Sequence, residues 1–209
     1  MTAFDTAWNL VKMPLLPHSL KDKGDMKWEG VFEDPETKEH LPLHFQGSNT
    51  IDSQLLWRDL GINDLDEEDE DNWEIIEQFN RDYPIDSNDP FSRHTGETEW
   101  FGHIGDGRTI EDMRMYPLDP LLPLPSVIGE PRGHLRTDYQ SPQQVHQVAV
   151  ENDYRRRGYA TALYDALAHI LMQTQNRELY PSSDRLDEGK RFWGGKDPNR
   201  KVWPVRDDL

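Results

Sequence analysis

The chain has 209 residues, no cysteine, a mean hydropathy of -0.90 and a formal net charge of -17. Disulfides and thiolate metal sites are excluded, and so much negative charge argues against direct binding of nucleic acid, whose phosphates it repels. Seven Trp, seven Tyr and seven Phe nevertheless supply apolar area in large units, so a sizeable core is within reach.

The opening "MTAFDTAWNLVKMPLLP" carries Asp5 early and has no long apolar run. It reads as neither signal peptide nor membrane anchor, and a soluble, cytoplasmic protein is expected. Phe4, Trp8 and Val11 stand at helical spacing before Pro14, which predicts a short amphipathic arm over 4–13. Residues 26–47 read as two extended segments around a turn at Asp34-Pro35. A short helix over 52–62 is ended by Gly61, and an acid run, Asp64 to Asp71, leads into a helix around Trp73, Ile76 and Phe79. Acids ahead of a helix favour its dipole. The run lacks the in-register glycine and glutamate of an EF-hand loop, so calcium is rejected.

A strand is predicted over Trp100–Ile104 and another over His134–Tyr139, separated by "YPLDPLLPLPSVIGEP" (116–131). Prolines at that density sustain neither helix nor interior strand. The stretch reads as a crossing loop over apolar surface, with a domain-boundary linker as the alternative. His94 and His103 lack a third ligand at diagnostic spacing and read as packing histidines rather than as a metal site. Charge is uneven along the chain: residues 130–209 hold 13 Lys and Arg against 12 Asp and Glu, leaving 10 against 28 for residues 1–129. Two compositions are thus joined near the proline-rich stretch; the domains expected are an acidic extension over 1–95 and a second domain over 96–209 that carries 116–131 as an insertion.

The stretch "VHQVAVENDYRRRGYATALYDALAHIL" is the most informative. Val145–Val150 reads as an inner strand, with His146, Val148 and Val150 on one side and Val145, Gln147 and Ala149 on the other. Gly158 then opens a helix with Ala160, Leu163, Leu167 and Ile170 or Leu171 as its buried stripe, and Thr161, Asp165 and His169 opposite. Arg155, Arg156 and Arg157 sit at the helix N-terminus, which already bears about half a positive charge. A phosphate or pyrophosphate is the natural counter-charge, held by free N–H groups and guanidinium groups. Pairing of the arginines with Glu151, Asp153 or the acidic N-terminal part is the alternative.

Arg155-x-x-Gly158-x-Ala160 after Val148-Ala149-Val150 resembles the acyl-CoA signature of the GNAT superfamily of N-acyltransferases, Gln/Arg-x-x-Gly-x-Gly/Ala between the fourth strand and the third helix. The resemblance covers about residues 143–175. It implies an α+β (α/β) fold with a mixed, mostly antiparallel twisted sheet flanked by helices. It further implies that the amides of Arg155, Arg156, Arg157, Gly158, Tyr159 and Ala160 hold the pyrophosphate of acetyl-CoA, and that main-chain groups of Val148 and Val150 line the pantetheine. Residues 178–195 correspond to the fifth strand and next helix. With Ser183 at the family's Asn position, Lys190 falls where many members have the tyrosine that protonates the leaving thiolate. Tyr180 is the nearest substitute. "RKVWPVRD" (200–207) is an edge strand at best, so the sheet is to be completed by the N-terminal extension or by a second subunit in a homodimer.

The expected reaction is transfer of an acetyl group from acetyl-CoA to a primary amine, with Glu151 or His146 as base. The acidic surface favours a cationic acceptor, either a small molecule or a protein. Two other readings stand beside it: a non-catalytic acyl-CoA-binding or protein-interaction module of the same fold, and an acidic decoy for a DNA-binding protein.

Overall fold

The computed structural model describes residues 15–62, 72–105, 131–182, 185, 187–194 and 199–209. The arm over 4–13, the acid run, residues 116–130 of the proline-rich stretch and Ser183 lie outside the described residues. Six strands form one sheet in chain order: β1 (Lys21–Gly24), β2 (Lys27–Glu33), β3 (His40–Asp52), β4 (Ser92–Ile104), β5 (Gly133–Thr137) and β6 (Val145–Val150). The pairings β1–β2, β2–β3, β4–β5 and β5–β6 are antiparallel. Among the described residues four helices accompany them: α1 (Ser53–Asp59), α2 (Trp73–Asp82), α3 (Tyr159–Gln175) and α4 (Asp187–Gly194). Among the described residues, no helix is long and apolar enough to cross a membrane.

Strand alternation explains the register. Trp28 and Phe32 on β2 and Leu41, Leu43 and Phe45 on β3 are buried, while Lys27, Glu29 and His40 between them are exposed. Gly102 on β4 is required by this packing, because a Cβ there would land in the Phe45 ring. The N-terminal strands thus complete the sheet, and residue 95 lies inside β4 rather than between two layers of chain.

Contacts divide the chain into two compact units. The larger comprises Met1–Gly47, Trp100–Asp138 and Gln143–Leu209. Its core includes Trp28, Phe32, Phe45, Trp100, Ile104 and Leu135 from the sheet and Leu163, Leu167, Ile170 and Leu171 from α3. The smaller comprises Ser48–Glu99 and Tyr139–Pro142, with Ile51, Leu56, Phe79 and Tyr139 at its centre. Within the smaller unit, the Asp52 carboxylate caps α1 by accepting from the Gln54 and Leu55 N–H groups. Arg93 lies 4.5 Å over the Phe79 ring and donates to the Tyr83 carbonyl.

Three expectations are corrected. β6 is the last strand of the sheet order, not an inner strand, and among the described residues what stands beyond it is one parallel bridge from Gln144 to Tyr180. α3 is buried almost all round, including Asp165, which was expected to face outward. The reason is the third correction: 199–209 forms no strand but folds back as an irregular segment whose Trp203 fills the far side of α3. The Trp203 indole N–H donates to Asp165 Oδ1 at 2.9 Å and its backbone N–H to the Leu179 carbonyl. Around it, Tyr164, Phe192 and Trp193 have ring centroids 4.8, 5.3 and 5.2 Å away.

Candidate functional site

At the end of β6 the chain makes a single 3-10 turn (Asn152–Tyr154), passes through the three arginines and enters α3 at Gly158. Gly158 is left-handed, with φ 91° and ψ 3°, and Arg156 is left-handed too, with φ 66°. Arg157 and Tyr159 are not, so φ alternates in sign from 156 to 159. Successive N–H groups in such an alternation turn toward a common concavity, a nest suited to an anion. No side chain caps α3 and no acid occupies its first turn. Backbone donors and the positive end of a 17-residue helix therefore converge on the loop.

Among the described residues, no strand pairs with the outer edge of β6 at Val148–Val150. Glu151 N–H bonds the Arg132 carbonyl, so residues 149 and 151 turn their backbone groups toward β5. By alternation those of Val148 and Val150 turn the other way, outward. The outward Val150 carbonyl accepts from Arg155 Nε at 3.1 Å. The β5–β6 register shifts between Arg136 and Thr137, whose partners are Gln147 and Val145, which leaves His146 at the irregularity. A bulge there resets the alternation: Val145 is buried, His146 is exposed, and Val148 and Val150 are half-buried against the core. His146 therefore does not share the face of Val148 and Val150, contrary to the alternation expected from sequence.

The three arginines have separate fates. Arg155 holds the Val150 carbonyl, and Arg156 is exposed. Arg157 turns to the β2–β3 turn, with Nε 3.1 Å from Glu36 and Nη1 3.5 Å from Asp34. Asp34 is fully buried. Its Oδ1 accepts from the Glu36 and Thr37 N–H groups, and its Oδ2 accepts from the Tyr159 hydroxyl at 2.8 Å. Burial pushes the Asp34 carboxyl up, but Tyr159, the two N–H groups and Arg157 together outweigh it and hold the group below the usual carboxylate range. Burial, followed by the Asp34 carboxylate, raises the Tyr159 hydroxyl. Alongside, Arg132 makes a two-pronged pair with Glu39 at 2.7 and 3.1 Å, and its guanidinium lies 4.9 Å over the Tyr154 ring. Asp34, Glu39, Arg132 and Tyr154 carry no local sequence signal for this arrangement. Only the Asp34-Pro35 turn is legible.

Val148, Val150, Glu151 and Arg155 to Ala160 thus come together at one end of β6. Glu151 is exposed and accepts the Tyr154 N–H at its carbonyl. The backbone of Tyr180 bridges Gln144, the residue before β6, at the end of the strand away from the nest. Its hydroxyl donates to Glu178 at 2.8 Å, which raises its pKa. Lys190 is exposed on α4 and lies 3.6 Å from Asp187. His103 packs against His44, with ring centroids 5.1 Å apart, and faces His134 across β4–β5. Burial, then the neighbouring histidines, lower its pKa to about 4. Among the described residues, no group of His, Asp and Glu is placed to hold a metal.

A strand at the end of the sheet order, a nest and a glycine-opened helix thus meet at one place in an α+β fold. The model of the acetyltransferase (GNAT) family matches residues 62–184, more than half of the chain, and the chain belongs to that family. Membership places it among acyl-CoA-dependent acyltransferases in general. No curated protein and no solved structure matches the chain.

Proposed function

We propose that the protein transfers an acetyl group from acetyl-CoA to a primary amine on a cationic acceptor. The observation carrying this reading is the run of alternating φ over 156–159 directly beside the outward backbone of Val148 and Val150. The nest and α3 hold the pyrophosphate, with Arg155 and Arg156 adding charge-assisted bonds. The pantetheine follows the β6 edge, and a backbone N–H at Val148 or Val150 polarises the thioester carbonyl. The amine, deprotonated through Glu151 or His146, attacks that carbonyl; the C–S bond then breaks and the thiolate takes up a proton. The net charge of -17 draws cationic acceptors and repels nucleic acid.

The test mixes the full chain and acetyl-CoA with polyamines, aminoglycosides and lysine-rich peptides and measures free thiol. Amine-dependent thiol release supports the reading. CoA binding with no release across the panel supports a second reading, a non-catalytic acyl-CoA-binding module. That alternative is favoured by Lys190 at the position of the family's acid, and by the distance of Tyr180 from Val148.

A further inference from the structure

Of the three loop arginines, one reaches into the protein's own N-terminal hairpin. Arg157, between two left-handed residues, reaches Asp34 and Glu36 across more than a hundred residues of sequence. Tyr159, the first residue of α3, reaches the same Asp34. Arg132 joins the turn at Glu39 while its carbonyl accepts the Glu151 N–H and its own N–H donates to Ile104. Tyr154 lies under both guanidinium groups, at 4.9 and 5.4 Å. Residues 151, 154, 157 and 159 are thus tied, directly or through Arg132, to the β2–β3 turn, while among the described residues no such tie reaches Arg155, Arg156 or Ala160.

We propose that the β2–β3 turn is a positioning clamp for the pyrophosphate loop: Asp34 through Tyr159 and Arg157, and Glu39 through Arg132, hold the backbone of 155–160 in its anion-binding form. This rests on the proposed function above. The physical need is plain. A non-glycine residue at φ 66° is held there only where its surroundings over-determine it, and an anion site with like-signed guanidinium groups around it opens unless it is fixed before the anion arrives. The clamp also divides the charge. The acids of the turn neutralise Arg157 and Arg132, and Arg155 and Arg156 keep their charge for the phosphates. Asp34, Glu39, Tyr159 and Arg132 are positioning residues, because they act on the ligand through the loop.

The experiment titrates CoA by calorimetry into the full-length chain and into its Tyr159→Phe and Glu39→Gln variants, and follows amide hydrogen exchange without ligand. Glu39→Gln is included because Glu39 is half-exposed and the change leaves the core intact. The expected result is a CoA dissociation constant raised about tenfold in Tyr159→Phe and threefold or more in Glu39→Gln. Exchange should quicken over 155–161 while Leu163–Leu171 stays protected. If the variants bind CoA like the parent, or protection falls along the whole of α3, the clamp is overturned and the function proposed above stands. If the parent itself binds no CoA, both are overturned.

Discussion

At Gly158 the backbone enters α3 with φ 91°, where a side chain is strained and where the nest needs its N–H turned outward. Gly158→Ala is expected to lose about 1–2 kcal/mol from that strain, and with it most CoA affinity; Gly158→Asn, which tolerates the left-handed region better, should lose less. Calorimetric titration of both variants checks the order. Two titratable groups, the buried Asp165 and the half-buried His103, make pH predictions of opposite sign. Burial raises the Asp165 carboxyl from 3.8 to about 6, with Trp203 and Arg206 opposing the shift. The folded chain then holds this proton more tightly than the unfolded one, so the group's contribution falls as pH rises from 3.8 to about 6. Asp165→Asn, which keeps an acceptor for Trp203, should gain stability relative to the parent across that window, as read by unfolding midpoints at several pH values. His103 behaves in reverse. Its pKa falls from 6.5 to about 4, so the unfolded chain takes the proton first and stability is lost as pH drops through that window. His103→Gln should flatten that acid-side loss in the same series of melts.

At the scale of elements, β6 and α3 carry the argument, and both were legible in sequence for the same reason. Val145–Val150 is a short β-branched run, and Tyr159–Gln175 keeps helical spacing after a glycine. What escaped was the irregularity at His146, since a bulge depends on the facing strand and leaves no mark in a period-2 pattern. The burial of Asp165 escaped too, because the covering residue, Trp203, lies 38 positions further on in a segment that reads only as a poor strand. Likewise the β2–β3 turn was readable as a turn, but its grip on Tyr159 spans 125 residues. Two outcomes belong at this scale. Tyr180→Phe should change amine-dependent turnover less than twofold, because its hydroxyl donates to Glu178. Gly102→Ala should destabilise the sheet by roughly 1–3 kcal/mol through overpacking against Phe45, a loss that denaturant unfolding would show.

For the molecule as a whole, the charge asymmetry seen in sequence does not mark an acidic half set apart from a neutral one. Residues 15–47 supply β1, β2 and much of β3 to the same sheet as β6, and their acids answer the basic loop directly through Asp34, Glu36 and Glu39. Of the three arginines at the N-terminus of α3, Arg157 pairs with acids of the β2–β3 turn, whereas Arg155 and Arg156 pair with no acid among the described residues. Thermal unfolding of the full chain with and without CoA tests the proposed anion site most directly. CoA at about a hundred times its dissociation constant should add roughly 2.7 kcal/mol and raise the midpoint by roughly 5 to 10 °C, with most of the shift lost in Arg155→Ala. An unchanged midpoint at millimolar CoA would contradict the anion site at Arg155–Ala160.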